Sequence, residues 1–336
     1  MKINMKEWTH SVLTSNQRIA IPILTHTGIE MSGKRVIDAV TDGRTHYEAI
    51  RLLSETFPAA ACTVIMDLTV EAEAFGAQVV FPEDEVPSVT GRLVSDRDTI
   101  ERLTVPSLDS ARVPQYLLAN SLAAQSLDKP VFAGCIGPFS LAGRLFDMSE
   151  IMMAMYIDPE GTRLLLEKCT SFITAYCEEL KKQGANGVIM AEPAAGLLSN
   201  EACKEFSSVY IKEIVEKVQD DAFMLVLHNC GNGGHCTEAM VYTGADGYHF
   251  GNRIDMIQAL DACPPASLVM GNLDPVSLFK MASPDEVYRQ TFQLLERTAG
   301  YPNFILSSGC DIPPHTPVEN INSFYSALLE YNRSRQ

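Results

Sequence analysis

An alternation of short apolar runs with helical stretches constrains the fold of this chain more than any other feature. Most of the runs are followed by a segment whose apolar residues recur at helical spacing. The eight runs cover residues 19–24, 62–67, 131–136, 187–192, 223–230, 244–250, 267–272 and 303–310. Strands that alternate with helices pair in parallel through crossover connections. Eight such units favour an α/β fold, a single (β/α)8 TIM barrel domain over residues 1–336, rather than an open sheet.

Two segments depart from this alternation. Residues before position 19 predict an N-terminal helical cap, with Trp8 and Leu13 as its contacts. Residues 68–130 form an insertion after strand 2, predicted to hold a helix and a hairpin within residues 79–89. Insertions of this kind collect in the loops on the catalytic rim of a barrel.

Composition limits the classes of partner. The net charge of −16 argues against a nucleic-acid or anionic-membrane surface, because both select basic patches. No apolar stretch approaches the length of a membrane span. Nine cysteines without regular spacing are not a disulfide framework, so we expect a reducing cytoplasmic location. The oligomeric state is left open.

Polar side chains collect where the predicted strands end. The working residues of (β/α)8 barrels occupy the C-terminal strand ends, where the loops converge. The residues at these ends are Asp67, Gly137, Glu192, His228, Cys230, His249, Asn272, Asp274 and Cys310.

Three of these residues predict a metal site. His228 and Cys230 lie two positions apart, so on a strand both side chains point to the same side. Cys310 closes the last run in the same manner. Imidazole and thiolate are ligands for Zn2+, and a catalytic zinc keeps one position open beyond three protein ligands. The alternative for any single cysteine is a small buried hydrophobe, and Cys236 could compete with Cys230.

Other residues at the rim have open alternatives. Asp67 and Glu192 follow apolar runs directly, and each is either catalytic or a helix cap or loop hydrogen-bond acceptor. His249 could be a fourth metal ligand, a substrate contact or a satisfied core histidine. His315, five residues after Cys310, could contact substrate or have no role.

Longer motifs resemble the uroporphyrinogen decarboxylase superfamily, and within it the methylcobamide:coenzyme M methyltransferases more than the decarboxylases. The resemblance runs through most of the chain. It is carried by residues 65–76 (IMDLTVEAEAFG), 137–143 (GPFSLAG), 227–231 (LHNCG), 270–275 (MGNLDP) and 308–320 (SGCDIPPHTPVEN). The family fold is a single (β/α)8 barrel. In the methyltransferases, a His-x-Cys pair and a distant Cys hold zinc, and these roles would belong here to His228, Cys230 and Cys310.

The chain departs from both branches at particular positions. The decarboxylases carry Asn-Leu-Gly-His in the last strand, where this chain has Ser-Ser-Gly followed by Cys310. They also carry an arginine-rich N-terminal segment, where this chain has only Arg18. Arg144 stands at the position of their tyrosine, whereas their pyrrole-binding aspartate matches Asp67. The methyltransferases place an acidic residue near the metal, where this chain has His249.

The sequence thus predicts a zinc-dependent enzyme that moves a methyl group from a methylated corrinoid, presented by a corrinoid protein, to a small thiol such as coenzyme M. Asp67 and Glu192 would be catalytic, orienting the acceptor or the corrinoid. The further substrate-binding candidates are Arg144, Asn272, Asp274 and His315. The alternatives are a metal-independent porphyrinogen decarboxylase and a non-catalytic corrinoid-binding barrel.

Overall fold

The computed structural model describes residues 3–335 and has a curled parallel sheet of seven strands at its centre. The strands of the chain, in order, are β1 Cys62–Thr63, β2 Gln78–Val80, β3 Ser88–Thr90, β4 Val131–Ile136, β5 Gly187–Ala191, β6 Met224–Asn229, β7 Gly247–Phe250, β8 Leu268–Leu273 and β9 Phe304–Ser308. The central sheet has the order β1-β4-β5-β6-β7-β8-β9, and every neighbouring pair is parallel.

An extended segment closes the ring between β9 and β1. The Ile21 N–H donates to the Leu306 carbonyl (3.0 Å), and the Ala60 N–H donates to the Ala20 carbonyl (2.9 Å). Residues 19–24 are predicted as a strand, but within residues 3–335 they form a single isolated bridge, from Ala20 to Leu306. Pro22 has no N–H to donate, which interrupts the ladder. The predicted (β/α)8 barrel is confirmed, with an irregular segment in its first strand position.

Helices surround this ring. They are α1 Met5–Thr14, α2 Thr25–Met31, α3 Val36–Thr41, α4 Gly43–Thr56, α5 Val70–Phe75, α6 Arg97–Arg102, α7 Val113–Ser126, α8 Pro138–Phe146, α9 Met148–Ile157, α10 Pro159–Lys182, α11 Asn200–Cys203, α12 Val209–Val218, α13 Thr237–Tyr242, α14 Met256–Ala262, α15 Pro284–Arg297 and α16 Val318–Arg333. Short 3-10 or π-helical turns occur at Pro193–Leu197, Lys204–Ser208 and Pro275–Lys280. None of the helices within residues 3–335 is long and apolar enough to span a membrane.

The barrel interior is an apolar layer covered at its N-terminal end. Alternate strand residues such as Phe132, Val226 and Ile305 are buried in one cluster, because side chains on a strand point to opposite faces in turn. Helix α1 covers this cluster, and the Trp8 ring centroid lies 6.3 Å from that of Phe132. The predicted N-terminal helical cap is confirmed, with Leu13 among its contacts.

The insertion between β1 and β4 contains α5, α6, α7 and a hairpin. Strands β2 and β3 pair antiparallel, with Val79 opposite Val89, which confirms the predicted hairpin. This insertion lies on the same side of the barrel as the C-terminal strand ends, since Val86 in the hairpin loop lines a pocket together with His228.

Candidate metal centre and its surroundings

His228, Cys230 and Cys310 meet at the C-terminal end of the barrel. His228 lies near the end of β6, Cys230 follows that strand, and Cys310 follows β9. Their ligand atoms all lie within 4.8 Å of one another. The strand alternation that points Val226 into the barrel also points His228 inward. Gly251 allows this packing, because a Cβ there would lie 2.7 Å from the Cys230 Cα.

A hydrogen-bond chain sets the tautomer of His228. Ser307 Oγ donates to the Ile21 carbonyl (2.7 Å), so it must accept from His249 Nε2 at 2.9 Å. Burial and the nearby His228 lower the pKa of His249 well below its usual value, so this ring is neutral and its Nδ1 is an acceptor. His228 Nδ1, 2.7 Å away, must then be the donor. In the neutral imidazole, this leaves His228 Nε2 with a free lone pair.

The three side chains fit a zinc ion. His228 Nε2 lies 3.7 Å from Cys310 Sγ, and tetrahedral Zn–S and Zn–N bonds place such atoms about 3.6 Å apart. The neighbouring Cys310 thiol lowers the pKa of Cys230, whereas the same pairing raises the pKa of Cys310. A free imidazole lone pair and a ready thiolate are the donors that zinc requires.

His249 is a partner of His228 and is not directed at the cysteines. Both of its ring nitrogens are hydrogen-bonded, and its side chain is fully buried. The prediction that it is a fourth ligand or a substrate contact is therefore not supported by this geometry. Histidines that bind metals characteristically donate the N–H of their second ring nitrogen to a partner that fixes the ring. His249 accepts such a hydrogen bond from His228.

The cluster opens into a pocket of about 290 Å³. Its lining is mostly apolar, and the polar residues are the three candidate ligands with His26 and Asp311. The lining residues are His26, Met66, Leu68, Val86, Ala191, Pro193, His228, Cys230, Cys310, Asp311, Pro313 and Pro314. A cavity of this size takes a small molecule with a few heavy atoms beside the sulfur atoms.

The sequence patterns do not single out His26 or Asp311, although each lies close to the end of a predicted strand. His26 follows the first apolar run by two positions, and Asp311 follows Cys310 directly. His26 Nε2 lies 3.5 Å from Asp311 Oδ2. Burial lowers the pKa of His26 to about 4 and raises the pKa of Asp311 to about 8.

Asp67 is held in a buried ion pair away from this pocket. Its Oδ2 accepts from Arg112 and from the Tyr116 hydroxyl (2.8 Å), and its Oδ1 accepts from the Thr69 N–H and hydroxyl. Its side chain has no exposed surface, and Phe81 of the insertion lies over the Arg112 guanidinium. A carboxylate with both oxygens engaged is not open to substrate, so the predicted catalytic role is replaced by a structural one.

Glu192 caps a helix. Its carboxylate accepts from the backbone N–H groups of Phe139 (3.0 Å) and Ser140 (2.6 Å) at the start of α8. Gly137 makes this approach possible, because a Cβ there would lie 2.3 Å from Glu192 Oε2. Burial raises the pKa of Glu192 to about 7. The geometry favours the capping alternative over contact with substrate.

The remaining candidates lie apart from the cluster. Arg144 is not in the pocket lining, and burial lowers its pKa while Asp67 and Glu71 oppose that shift. Asn272 donates to the carbonyls of Gly251 and Ile254, and Asp274 caps the turn Pro275–Lys280. These two residues line a different pocket.

His315 and Cys236 also lie outside the cluster. The side chain of His315 is 70% exposed and contacts Glu30. Cys236 is buried, with its sulfur 3.2 Å from the Leu198 carbonyl, so it does not compete with Cys230.

A buried glutamate beside Asp67 predicts a measurable pH dependence of stability. Burial raises the pKa of Glu71 from 4.5 to about 7. The folded state therefore binds this proton more tightly. The stability it contributes is complete below about pH 4.5 and is lost as the pH rises through 7. Glutamine does not titrate. We therefore expect the free energy of unfolding of Glu71→Gln, taken relative to that of the wild type, to rise by up to about 3 kcal/mol between pH 4.5 and 8.

Urea unfolding over this pH range measures the difference. The matched control is Glu85→Gln, which changes an exposed glutamate in the hairpin loop and should run parallel to the wild type. Parallel profiles for Glu71→Gln and the wild type would contradict the assignment.

Comparison with known proteins gives the family. The model of a family described as uroporphyrinogen decarboxylase (URO-D) matches residues 15–331. The methylcobamide:CoM methyltransferase MtbA of Methanosarcina acetivorans is 30% identical over 285 residues, which cover 81% of this chain and 80% of that protein. A uroporphyrinogen decarboxylase of Legionella pneumophila is 27% identical, with 80% of this chain and 78% of that protein covered.

A solved structure agrees with the fold. The structure of a methyltransferase from Methanosarcina mazei superposes with a TM-score of 0.88 at 21% identity, covering 98% of this chain and 99% of that chain. A B12-independent methionine synthase from Shewanella is more distant, with a TM-score of 0.58 and 13% identity over 87% of each chain. The likeness extends over the whole barrel, and the family match covers nearly all of the chain. This protein belongs to the uroporphyrinogen decarboxylase family, as the motifs in its sequence predict.

Proposed function

We propose that this protein is a zinc-dependent methyltransferase that moves a methyl group from a methylated corrinoid, carried by a separate corrinoid protein, to a small thiol. The observation that carries the proposal is the meeting of His228 Nε2, Cys230 Sγ and Cys310 Sγ beside an open pocket. Three soft donors with room for a fourth ligand are the arrangement of a catalytic zinc. The 30% identical relative named as a methylcobamide:CoM methyltransferase supports the same activity.

His228, Cys230 and Cys310 would hold the zinc. Zinc, when bound, would supply a substrate thiol in its deprotonated, nucleophilic form at neutral pH. Two cysteinates would keep the site electron-rich, which favours attack by sulfur on a methyl group. The His249–Ser307 chain would hold the His228 ring in the orientation and tautomer that metal binding needs.

The pocket would exclude bulk water from the acceptor. Met66, Leu68 and Pro193 are among its apolar walls. A pocket of about 290 Å³ takes a small thiol and is too small to enclose a corrin ring. The methyl donor would therefore lie over the mouth of the barrel. We also propose a cytoplasmic location, since all nine cysteines are free and reducing conditions would keep them so.

Decarboxylation of a porphyrinogen is the second candidate from the family, and the geometry favours it less. Its aspartate, Asp67, is engaged on both oxygens by Arg112, Tyr116 and Thr69. The final strand also ends in Cys310 in place of the decarboxylase histidine.

Metal removal tests the proposal. Purified protein should contain about one zinc per chain and should demethylate methylcobalamin when a thiol is present, as followed by visible absorbance. Chelation should remove both zinc and activity because no other group would activate the thiol. Zn2+ should restore both, and Mg2+ should restore neither. Full thiol-dependent activity in metal-free protein would refute the proposal, as would conversion of a porphyrinogen without metal.

A further inference from the structure

The pocket beside the candidate metal ligands has an unusual polar composition. Apart from those ligands, its ionisable lining residues are His26 and Asp311. Within the described chain, no lysine or arginine lines this pocket. An acceptor that bound its sulfur near Cys230 and Cys310 would therefore place its other end against an aspartate and apolar walls.

The polar atoms of Asp311 and His26 lack partners. Both carboxylate oxygens of Asp311 and the Nδ1 of His26 are buried, and none makes a hydrogen bond of good geometry within residues 3–335, although the Met66 and Ile312 N–H groups lie near the carboxyl group. The contact of 3.5 Å between His26 Nε2 and Asp311 Oδ2 does not reach hydrogen-bonding geometry. The large majority of buried polar side-chain atoms in proteins are hydrogen-bonded. Three unpartnered atoms in one pocket indicate that a ligand supplies the missing donor.

Two guanidinium groups outside the pocket lining, those of Arg112 and Arg144, already lie in the field of carboxylates. Arg112 pairs with Asp67 and Glu73, and Arg144 lies in the field of Asp67 and Glu71. A sulfonate or carboxylate at the far end of the acceptor would meet no lysine or arginine in this lining. Burying an anion without a partner is costly.

We propose that the acceptor is a small thiol whose far end carries an ammonium group bound by Asp311, and that the pocket discriminates against thiols with an anionic far end. This proposal rests on the proposed methyl transfer and names its acceptor class. An ammonium group has three donors, and its positive charge favours the ionised form of a carboxyl group, so it can engage both oxygens of Asp311. A hydroxyl at the far end could donate to one of these oxygens, so a thiol of that kind should bind with intermediate affinity.

Three thiols with the same two-carbon chain test this directly. They are cysteamine, 2-mercaptoethanol and 2-mercaptoethanesulfonate, whose far ends are ammonium, hydroxyl and sulfonate. With the zinc-loaded protein, we expect calorimetric titration to give at least about tenfold tighter binding of cysteamine than of the sulfonate. We expect kcat/KM for methylcobalamin demethylation to rank in the same order, with 2-mercaptoethanol between them.

The variant Asp311→Asn separates the effect of the pocket on acceptor preference from the intrinsic reactivity of each thiol. Comparing the cysteamine-to-sulfonate ratio between the two proteins cancels differences in thiol acidity. The ratio should fall at least about tenfold in Asp311→Asn, because the amide has no charge to attract ammonium. The matched control is Asp274→Asn, which changes a rim aspartate outside this pocket and should keep the wild-type ratio.

The outcomes distinguish this proposal from the proposed function. Methylation of the sulfonate in preference to cysteamine, with the ratio unchanged in Asp311→Asn, would overturn the acceptor class while leaving methyl transfer intact. If no thiol were methylated, methyl transfer would fail, and the calorimetric ranking would still decide whether the pocket prefers ammonium. Zinc content is measured for each variant. If Asp311→Asn lost zinc, the binding ranking in the wild-type protein would decide alone.

Discussion

Cys310→Ala is expected to lose zinc and thiol-dependent demethylation of methylcobalamin together. Cys310 contributes one of the three candidate donor atoms, and its sulfur lies 3.7 Å from His228 Nε2. Loss of a residue that merely orients a metal ligand costs about 10–100-fold in affinity. Loss of the ligand itself should therefore weaken zinc binding more than about 100-fold. Zinc per chain after dialysis, measured by mass spectrometry, and the initial demethylation rate are the two readouts.

Cys236→Ala is the matched control for this experiment. Cys236 is a buried cysteine that follows β6, and its sulfur contacts the Leu198 carbonyl and not the cluster. This variant should retain zinc and activity, and circular dichroism should show both variants folded. If Cys310→Ala kept a full zinc complement, or if Cys236→Ala lost it, the proposed ligand set would be wrong.

Arg112→Met is expected to cost about 3–5 kcal/mol of folding stability, the range for a buried ion pair that loses one partner. The guanidinium joins Asp67 and Glu73 and also donates to the Val40 carbonyl and the Thr69 hydroxyl. Its removal leaves the fully buried Asp67 without its counter-charge. Methionine keeps much of the side-chain volume, so the loss reports charge and hydrogen bonding. The free energy of unfolding in urea measures it.

Arg97→Met is the control, because Arg97 pairs with Glu101, Asp158 and Glu160 at the surface and its side chain is 46% exposed. Surface pairs contribute about 0–1 kcal/mol each, so this variant should lose much less. Equal losses in the two variants would show that the Asp67 pair has no special structural role. At temperatures where Arg112→Met remains folded, it should retain zinc, since neither Arg112 nor Asp67 belongs to the ligand cluster.

Much of the barrel was predictable from local patterns. The alternation of apolar runs and helical stretches predicts eight βα units, and the structure has seven regular parallel strands with one irregular segment. The hairpin within residues 79–89 could also be predicted, because turn signals act over a few residues. The first strand position differs because Pro22 prevents a regular ladder.

The candidate metal ligands could be predicted from the sequence, whereas their neighbours could not. His228, Cys230 and Cys310 stand at strand ends, and in a parallel barrel all such ends meet at one rim. A choice between the catalytic and the structural role of Asp67 and Glu192 requires knowledge of their hydrogen-bond partners. The partner of Asp67 is Arg112, which lies 45 positions later in the insertion, and those of Glu192 are N–H groups of α8. Contacts at such sequence separations leave no local signal.

The amino-acid pattern alone determined the strand order, the polar rim and the identity of the three soft donors, because strand periodicity and parallel connection are properties of the local chain. Tertiary structure alone decided the rest. The register of β6 against β7 sets His249 beside His228, and closure of the ring brings His26 to Asp311. Both contacts join residues far apart in sequence, and only the packed barrel specifies which of them meet.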